Sequence, residues 1–261
     1  MTPELYDTVG RTYGGTRHAD PHIAAAILAA LGDARTVLNV GAGGGNYEPT
    51  DRAVVALEPS AVMIAQRPPG AARVVQGRAE ELPFADRSFD AVMAVLSDHH
   101  WADRRRGLRE LRRVARDRIV LFNANPAEFD LFWLTADYLR ESFELVPPRY
   151  REPGAWRDEL SETLGVVELT PVPVPHDCTD GFYSAYWRRP EAYLDADIRA
   201  GISVFSLVSS GAVDRAIDAL GADLRDGRWQ ERHRELLSMD ELHLGYYVIV
   251  AEQNSQTGGR T

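Results

Sequence analysis

Short apolar runs, broken by glycine, proline and charge, recur along this chain. Val37, Leu38 and Val40 form the first. Ala53 to Leu57, Arg73 to Gln76, Phe89 to Leu96, Arg118 to Phe122 and Leu244 to Glu252 form others. They are too brief for helices and rich in β-branched residues, which suits buried strands. Between them the apolar spacing widens to that of a helix face: Ile23, Ile27, Leu28 and Leu31; then Leu108 and Leu111 with Val114 or Ala115. Asp20-Pro21 marks the start of the first helix. Ser60 caps a short one that ends by Pro68-Pro69-Gly70. Trp156 to Leu164 predicts another helix, and Val166 to Val174 a sixth strand. Pro171 and Pro173 cannot donate ladder hydrogen bonds, which places that strand near a sheet edge. Strand and helix in alternation predict a doubly wound α/β domain.

The chemistry concentrates between Thr36 and Glu58. There a strand is followed by Gly41, Gly43, Gly44 and Gly45, and the next strand ends on a carboxylate. Glycines let a ligand lie against the backbone. In an open parallel sheet the carboxyl ends of the strands form the binding crevice. A carboxylate placed there accepts hydrogen bonds from both hydroxyls of a ribose, so the motif asks for a nucleoside. The G-x-G-x-x-G fingerprint of dinucleotide enzymes fails, because Asn46 stands where the third glycine belongs. Only Asn46 to Arg52 remains for a phosphate-binding helix, and Glu48 beside it would repel a pyrophosphate.

The chain instead reads G-x-G-x-G from Gly41 to Gly45, and this resembles the first motif of class I S-adenosylmethionine-dependent methyltransferases. Ala79-Glu80 after the third strand and the phrase LPFADRSFD leading into the fourth extend the resemblance over residues 36–122. The region 84–113 is similar to the small-molecule group of the family. The resemblance implies a seven-stranded, mostly parallel sheet with its last strand antiparallel. It implies S-adenosylmethionine as cofactor, bound by Tyr13, Arg17, Asn39, Gly41, Ala42, Gly43, Gly45, Glu58, Pro59, Ala79, Glu80, Leu96, Ser97 and Trp101. Tyr13 and Arg17 belong to an N-terminal lid hinged at Gly14-Gly15. Asn39 departs from the family, which has an acid at that position.

His99 and His100 end the fourth strand, where a methyl acceptor would face the donor. Imidazole is suited to take a proton from an oxygen or nitrogen nucleophile near neutral pH. The alternative is that the pair only lines the cofactor pocket. Residues 127–152 read as an inserted helix apolar on more than one face, and residues 176–241 as a second insertion rich in aromatics. Trp133, Tyr138, His176, Tyr183 and Tyr186 are the candidate substrate contacts, suiting a flat or apolar acceptor. The remaining segments are the lid and first helix (1–34), the cofactor-binding core (35–126), the rest of the core sheet (153–175 and 242–252) and a polar tail (253–261).

Composition narrows the partners. A net charge of −10 argues against a nucleic-acid surface. The arginines at 104–106, 109, 112 and 113 read as a solvated helix face. Asn123 to Pro126 matches the N-P-P-Y motif of amino-methylating DNA enzymes only superficially, since it ends the fifth strand and not the fourth. A single cysteine, Cys178, fits a reducing compartment. No apolar stretch approaches a membrane span, so a cytoplasmic protein is expected. His176, Asp177 and Cys178 lack a recurrent ligand spacing, and no metal is expected. The reading is a methyltransferase acting on O, N or C of a small aromatic or apolar metabolite. A nicotinamide dehydrogenase and a non-catalytic cofactor-binding protein are the alternatives. The oligomeric state is not legible.

Overall fold

The computed structural model describes residues 17–253. Tyr13 and the Gly14-Gly15 hinge lie outside them. Helix α1 (Pro21–Leu31) precedes β1 (Thr36–Val40), β2 (Ala53–Glu58), α2 (Ala61–Ala65), β3 (Arg73–Gln76) and β4 (Phe89–Val95). Helix α3 (Arg104–Val114), β5 (Ala115–Ala124), α4 (Glu141–Glu144), α5 (Ala155–Leu164), β6 (Val167–Pro171) and β7 (Val174–Pro175) follow. Helices α6 (Ala196–Ala200), α7 (Ser203–Leu207), α8 (Ser210–Arg225) and α9 (Arg228–Arg232) then lead to β8 (Glu241–Leu242) and β9 (Tyr246–Glu252).

Seven strands form one sheet in the order β3-β2-β1-β4-β5-β9-β6. β9 runs antiparallel to both neighbours, β5 and β6. The proline-bearing β6 is an edge strand, as its missing donors require. The chain moves outward from β1 through β2 to β3, then returns to lay β4 on the other side of β1. This reversal opens a crevice at the carboxyl ends of β1 and β4.

Both faces of the sheet are covered. Ile23, Ile27 and Leu31 of α1 are buried on one, and Leu108, Leu111 and Val114 of α3 on the other with Trp156, Leu160 and Leu164 of α5. The caps follow the sequence: Asp20 Oδ1 accepts from the amides of His22 and Ile23, and Ser60 Oγ from that of Met63.

Residues 127–152 depart from the expected single helix. They form a 3₁₀ segment (Pro126–Leu131), a π-turn (Leu134–Tyr138) and the short α4. The cause is tertiary. Trp133 Nε1 donates to the Trp187 carbonyl at 2.8 Å, and the Tyr183 hydroxyl lies 3.1 Å from Thr135 Oγ1 and 3.2 Å from Ser142 Oγ. These anchors override helix propensity. The two insertions, read separately in sequence, pack on one another: Trp133 meets Trp229 edge to face at 5.3 Å and Tyr193 at 5.7 Å.

Candidate active site

The loop after β1 turns across the end of the sheet. The amides of Gly41 and Ala42 both donate to the Leu57 carbonyl, which fastens the loop to β2. Gly41 has φ +70°, and a Cβ there would lie 2.6 Å from Ser97 Cβ, so only glycine fits. From the β4 side, Ser97 Oγ donates to the Val40 carbonyl at 2.9 Å. Leu96, beside it, has φ +47°, a strained conformation of the kind that clusters at functional sites.

Glu58 is buried under this loop, 5% exposed. One carboxylate oxygen accepts from the Gly43 amide at 2.8 Å, and the other from the Ser60 amide at 2.9 Å. The side chain therefore fixes the glycine turn and also faces the crevice. Burial pushes its pKa above the usual carboxylate value, opposed by those two amides and by Arg67.

The crevice is a cavity of about 1060 Å³ including its open mouth. Arg17, Asn39, Gly41, Ala42, Gly43, Glu58, Pro59, Ala79, Glu80, Leu96, Ser97 and Trp101 all line it, as does His100. Gly45 does not; it sits against the Glu48–Arg67 pair, where a Cβ would come 3.0 Å from a Glu48 oxygen. Met63, Asn46 and Tyr47 are lining residues that the sequence reading did not select.

Two departures from expectation lie beside the loop. Glu48 is no free repulsive charge, because Arg67 grips both its oxygens at 2.6 and 2.7 Å in a pair that is almost fully buried. The remaining arguments against a pyrophosphate stand, since no helix forms between Asn46 and Arg52 to receive it. Asn39 Nδ2 donates to Glu48 at 3.3 Å, which fixes the amide. Its buried Oδ1 has no hydrogen-bond partner among the described residues, and Asn39 lines the cavity. An acceptor so placed fits an ammonium such as that of the methionine part of S-adenosylmethionine. A turn whose Gly41 has no room for a Cβ and whose Gly43 has positive φ, with a buried acid at the ribose position, fits the rest of that molecule.

Arg17 is held at the cavity by Asp180 of the second insertion, a fully buried carboxylate. Arg17 Nε and Asp180 Oδ1 are paired, and Nη2 donates to Oδ2 at 3.1 Å. The Tyr47 hydroxyl donates to the same carboxylate at 2.9 Å. Thr179 next to it donates its amide to Asp20 at 3.0 Å. The second insertion is thus bolted to α1 and to the cavity wall.

The 3₁₀ turn Asp98–His100 closes the other side. Desolvation lowers the His99 pKa to about 4, with Asp98 opposing, and takes His100 well below its ordinary value. His99 is exposed and His100 half-buried. The rings are 3.8 Å apart, and His100 but not His99 lines the cavity. Trp101 lies across α3 at Gly107, where a Cβ would come 2.3 Å from the indole. Gly107→Ala should drive the ring toward the cavity, costing about 1–3 kcal/mol of stability, the usual range for overpacking, and weakening cofactor binding. Titration calorimetry checks this; an unchanged affinity would remove Trp101 from the binding surface.

The basic run of α3 is not all solvated. Arg104 is buried between two acids, with Nε donating to Asp98 at 2.8 Å and Nη1 to Glu159 of α5 at 2.6 Å. Its pKa is raised: Asp98, Tyr150 and Glu159 outweigh burial. Asp98 also accepts from Asn123 at the end of β5.

The expected substrate wall is arranged differently. Trp133, Tyr138, His176, Tyr183 and Tyr186 lie outside the cavity lining. Trp133 and Tyr183 are core, at 4% and 5% exposure, because their polar ends are satisfied within the insertions. The Tyr138 hydroxyl donates to Asp223 of α8 at 2.9 Å. His176 follows the β7–β8 pair, its amide on the Asp240 carbonyl. Tyr186 is half-buried under the Arg189 guanidinium. Among the described residues no cluster of three or more His, Cys, Asp or Glu could hold a metal, and no helix is long and apolar enough to cross a membrane.

Comparison with known proteins places this geometry. Residues 38–122 match the family described as "Methyltransferase domain". The crystal structure of a putative methyltransferase from an antibiotic biosynthesis pathway of Anabaena variabilis ATCC 29413 superposes with a TM-score of 0.81 at 33% identity, covering 90% of this chain and 98% of that one. The Escherichia coli protein YafE is 32% identical over 128 residues, 46% of this chain. Demethylmenaquinone methyltransferase of Thermotoga maritima is 44% identical over 54 residues, 20% of this chain. The matches span 59% and 24% of those two curated relatives.

Proposed function

The chain belongs to the class I S-adenosylmethionine-dependent methyltransferases, and we propose that its methyl acceptor is a small molecule bound between the Ser97–Trp101 turn and the second insertion. The dehydrogenase alternative falls with the family assignment. S-adenosylmethionine supplies an electrophilic methyl group on a sulfonium, and the acceptor must present a lone pair or carbanion in line with it. Glu58 would hold the ribose, Ala79 and Glu80 the adenine side, and Asn39 with Arg17 the amino-acid end. That leaves the edge beside His99, His100 and Tyr47 for the acceptor.

The observation that carries the small-molecule reading is the Asp180 bolt. It ties the second insertion to Arg17 and Tyr47, two residues of the cavity wall, and so keeps that insertion next to the cavity. Positioning two reactants in a dry, enclosed site supplies much of the acceleration. An insertion packed against the cavity wall would hinder a polymer more than a metabolite. The identity found with the Anabaena protein, which carries an antibiotic-pathway description, is in keeping with a metabolite. Most of the aromatics in the insertions are engaged in the core and do not line the cavity.

The test uses the full chain with cofactor labelled on the transferred methyl, incubated with small-molecule extract, tRNA and protein fractions in parallel. Label in the small-molecule fraction alone is the expected result. Label confined to tRNA or protein would overturn the reading.

A further inference from the structure

Asn123 stands at the end of β5, next to the acceptor edge but outside the cofactor cavity, and its amide is held from both sides. Its Oδ1 accepts from the Ala124 amide at 2.8 Å. Its Nδ2 faces Asp98, a fully buried carboxylate paired with the Arg104 guanidinium at 2.8 Å. A carboxylate can only accept, and a backbone N–H can only donate. The two partners therefore leave one orientation for the amide, with its NH₂ group toward Asp98. The same Nδ2 lies 3.2 Å from His99 Nδ1. An NH₂ group has two hydrogens; Asp98 takes one, and the other is available to His99 at that distance. Nδ1 of His99 then has to be the bare, accepting nitrogen. A neutral imidazole carries its proton on the other nitrogen, Nε2.

We propose that Asn123 is a positioning residue that fixes His99 as an Nε2–H donor, so that His99 orients an oxygen or nitrogen acceptor atom of the substrate by donating to it and does not remove a proton from it. This rests on the small-molecule reading of the site above, and it deepens that reading. A substrate held this way presents a lone pair: a carboxylate, phenolate or carbonyl oxygen, or an unprotonated ring nitrogen. The chain Arg104–Asp98–Asn123–His99 transmits the constraint from α3 to the acceptor edge. Each link has donor and acceptor roles set by its neighbour, so the tautomer is not left to the substrate.

Two-dimensional long-range ¹H–¹⁵N NMR of the full chain, labelled with ¹⁵N-histidine, reads the tautomer directly. The His99 ring is assigned as the one lost in His99→Gln. At pH 7, with S-adenosylhomocysteine present, Nδ1 should show the shift of an unprotonated nitrogen and Nε2 that of a protonated one. Asn123→Asp replaces the donor with a second acceptor, so Nδ1 of His99 should acquire a proton. Binding of S-adenosylhomocysteine by that variant, measured calorimetrically, reports that it is folded. Should it fail to fold, the wild-type spectrum still decides the tautomer. An Nδ1–H or doubly protonated His99 in the wild type would overturn the proposal. So would an unchanged tautomer in a folded Asn123→Asp, because Asn123 would then set nothing. Neither result touches the methyl-transfer reading, whose failure shows instead as label in the wrong fraction.

Discussion

Replacing Glu58 by alanine is expected to weaken binding of S-adenosylmethionine by about 1.5–3 kcal/mol, the range for a lost hydrogen-bonded charge, or roughly ten- to 150-fold. Two effects combine. The ribose loses its acceptor, and the Gly43 and Ser60 amides lose the side chain that orders the turn. The pH dependence carries a distinct signature. Burial raises the Glu58 pKa, so the folded state prefers the protonated acid. Its contribution to folding stability is therefore full below the unfolded carboxylate pKa and is lost as pH rises through the raised value. Binding runs the other way. Ribose hydroxyls donate to the carboxylate, so affinity is complete near neutrality and falls as acid titrates Glu58. The wild type should show that fall and Glu58→Ala should not, in calorimetric titrations across the weakly acid range. Parallel pH profiles for the two proteins would take Glu58 out of the site.

The second large effect concerns stability. Arg104→Met leaves two acids, Asp98 at 0% and Glu159 at 5% exposure, without their shared counter-charge. The Tyr150 hydroxyl on Glu159, at 2.5 Å, cannot replace it. Removing one partner of a buried ion pair typically costs about 3–5 kcal/mol, since the surviving charge stays desolvated. Urea denaturation should register a loss of that order. Combining Arg104→Met with Asp98→Asn and Glu159→Gln removes the stranded charges and should recover part of it. A loss under about 1 kcal/mol for the single variant would mean that the acids find water or each other's protons instead.

Much of this was legible in the sequence, for a physical reason. A buried parallel strand must be short, apolar and β-branched, and a ligand-bearing turn must shed its Cβ atoms, so β1, the glycine loop and Glu58 are written locally. Pro171 and Pro173 announced an edge strand by the donors they lack, and β6 lies at the edge. What failed to show was non-local. Arg104 looks like its neighbours Arg105 and Arg106, and only its encounter with Glu159, 55 residues away, distinguishes it. Asn123 looks like a turn residue until β5 brings it beside Asp98 and His99. Gly107 went unmarked among the helix residues, although it is the seat for the Trp101 ring. Trp133 and Tyr183 show why aromatic density misleads. A packed core and a pocket for a flat ligand draw on the same residue types, and partners such as Trp187 and Thr135 separate them. The broken helix at 127–152 has the same origin, since those anchors outweigh local propensity.

The central claim is that the loop after β1 and the acid ending β2 together hold an adenosine whose other end carries no phosphate. Titration calorimetry of the full chain against S-adenosylhomocysteine, with NAD in a parallel cell, tests it most directly. Saturable one-to-one binding of the first and no heat from the second is the predicted outcome. Binding of NAD with no response to S-adenosylhomocysteine would contradict it.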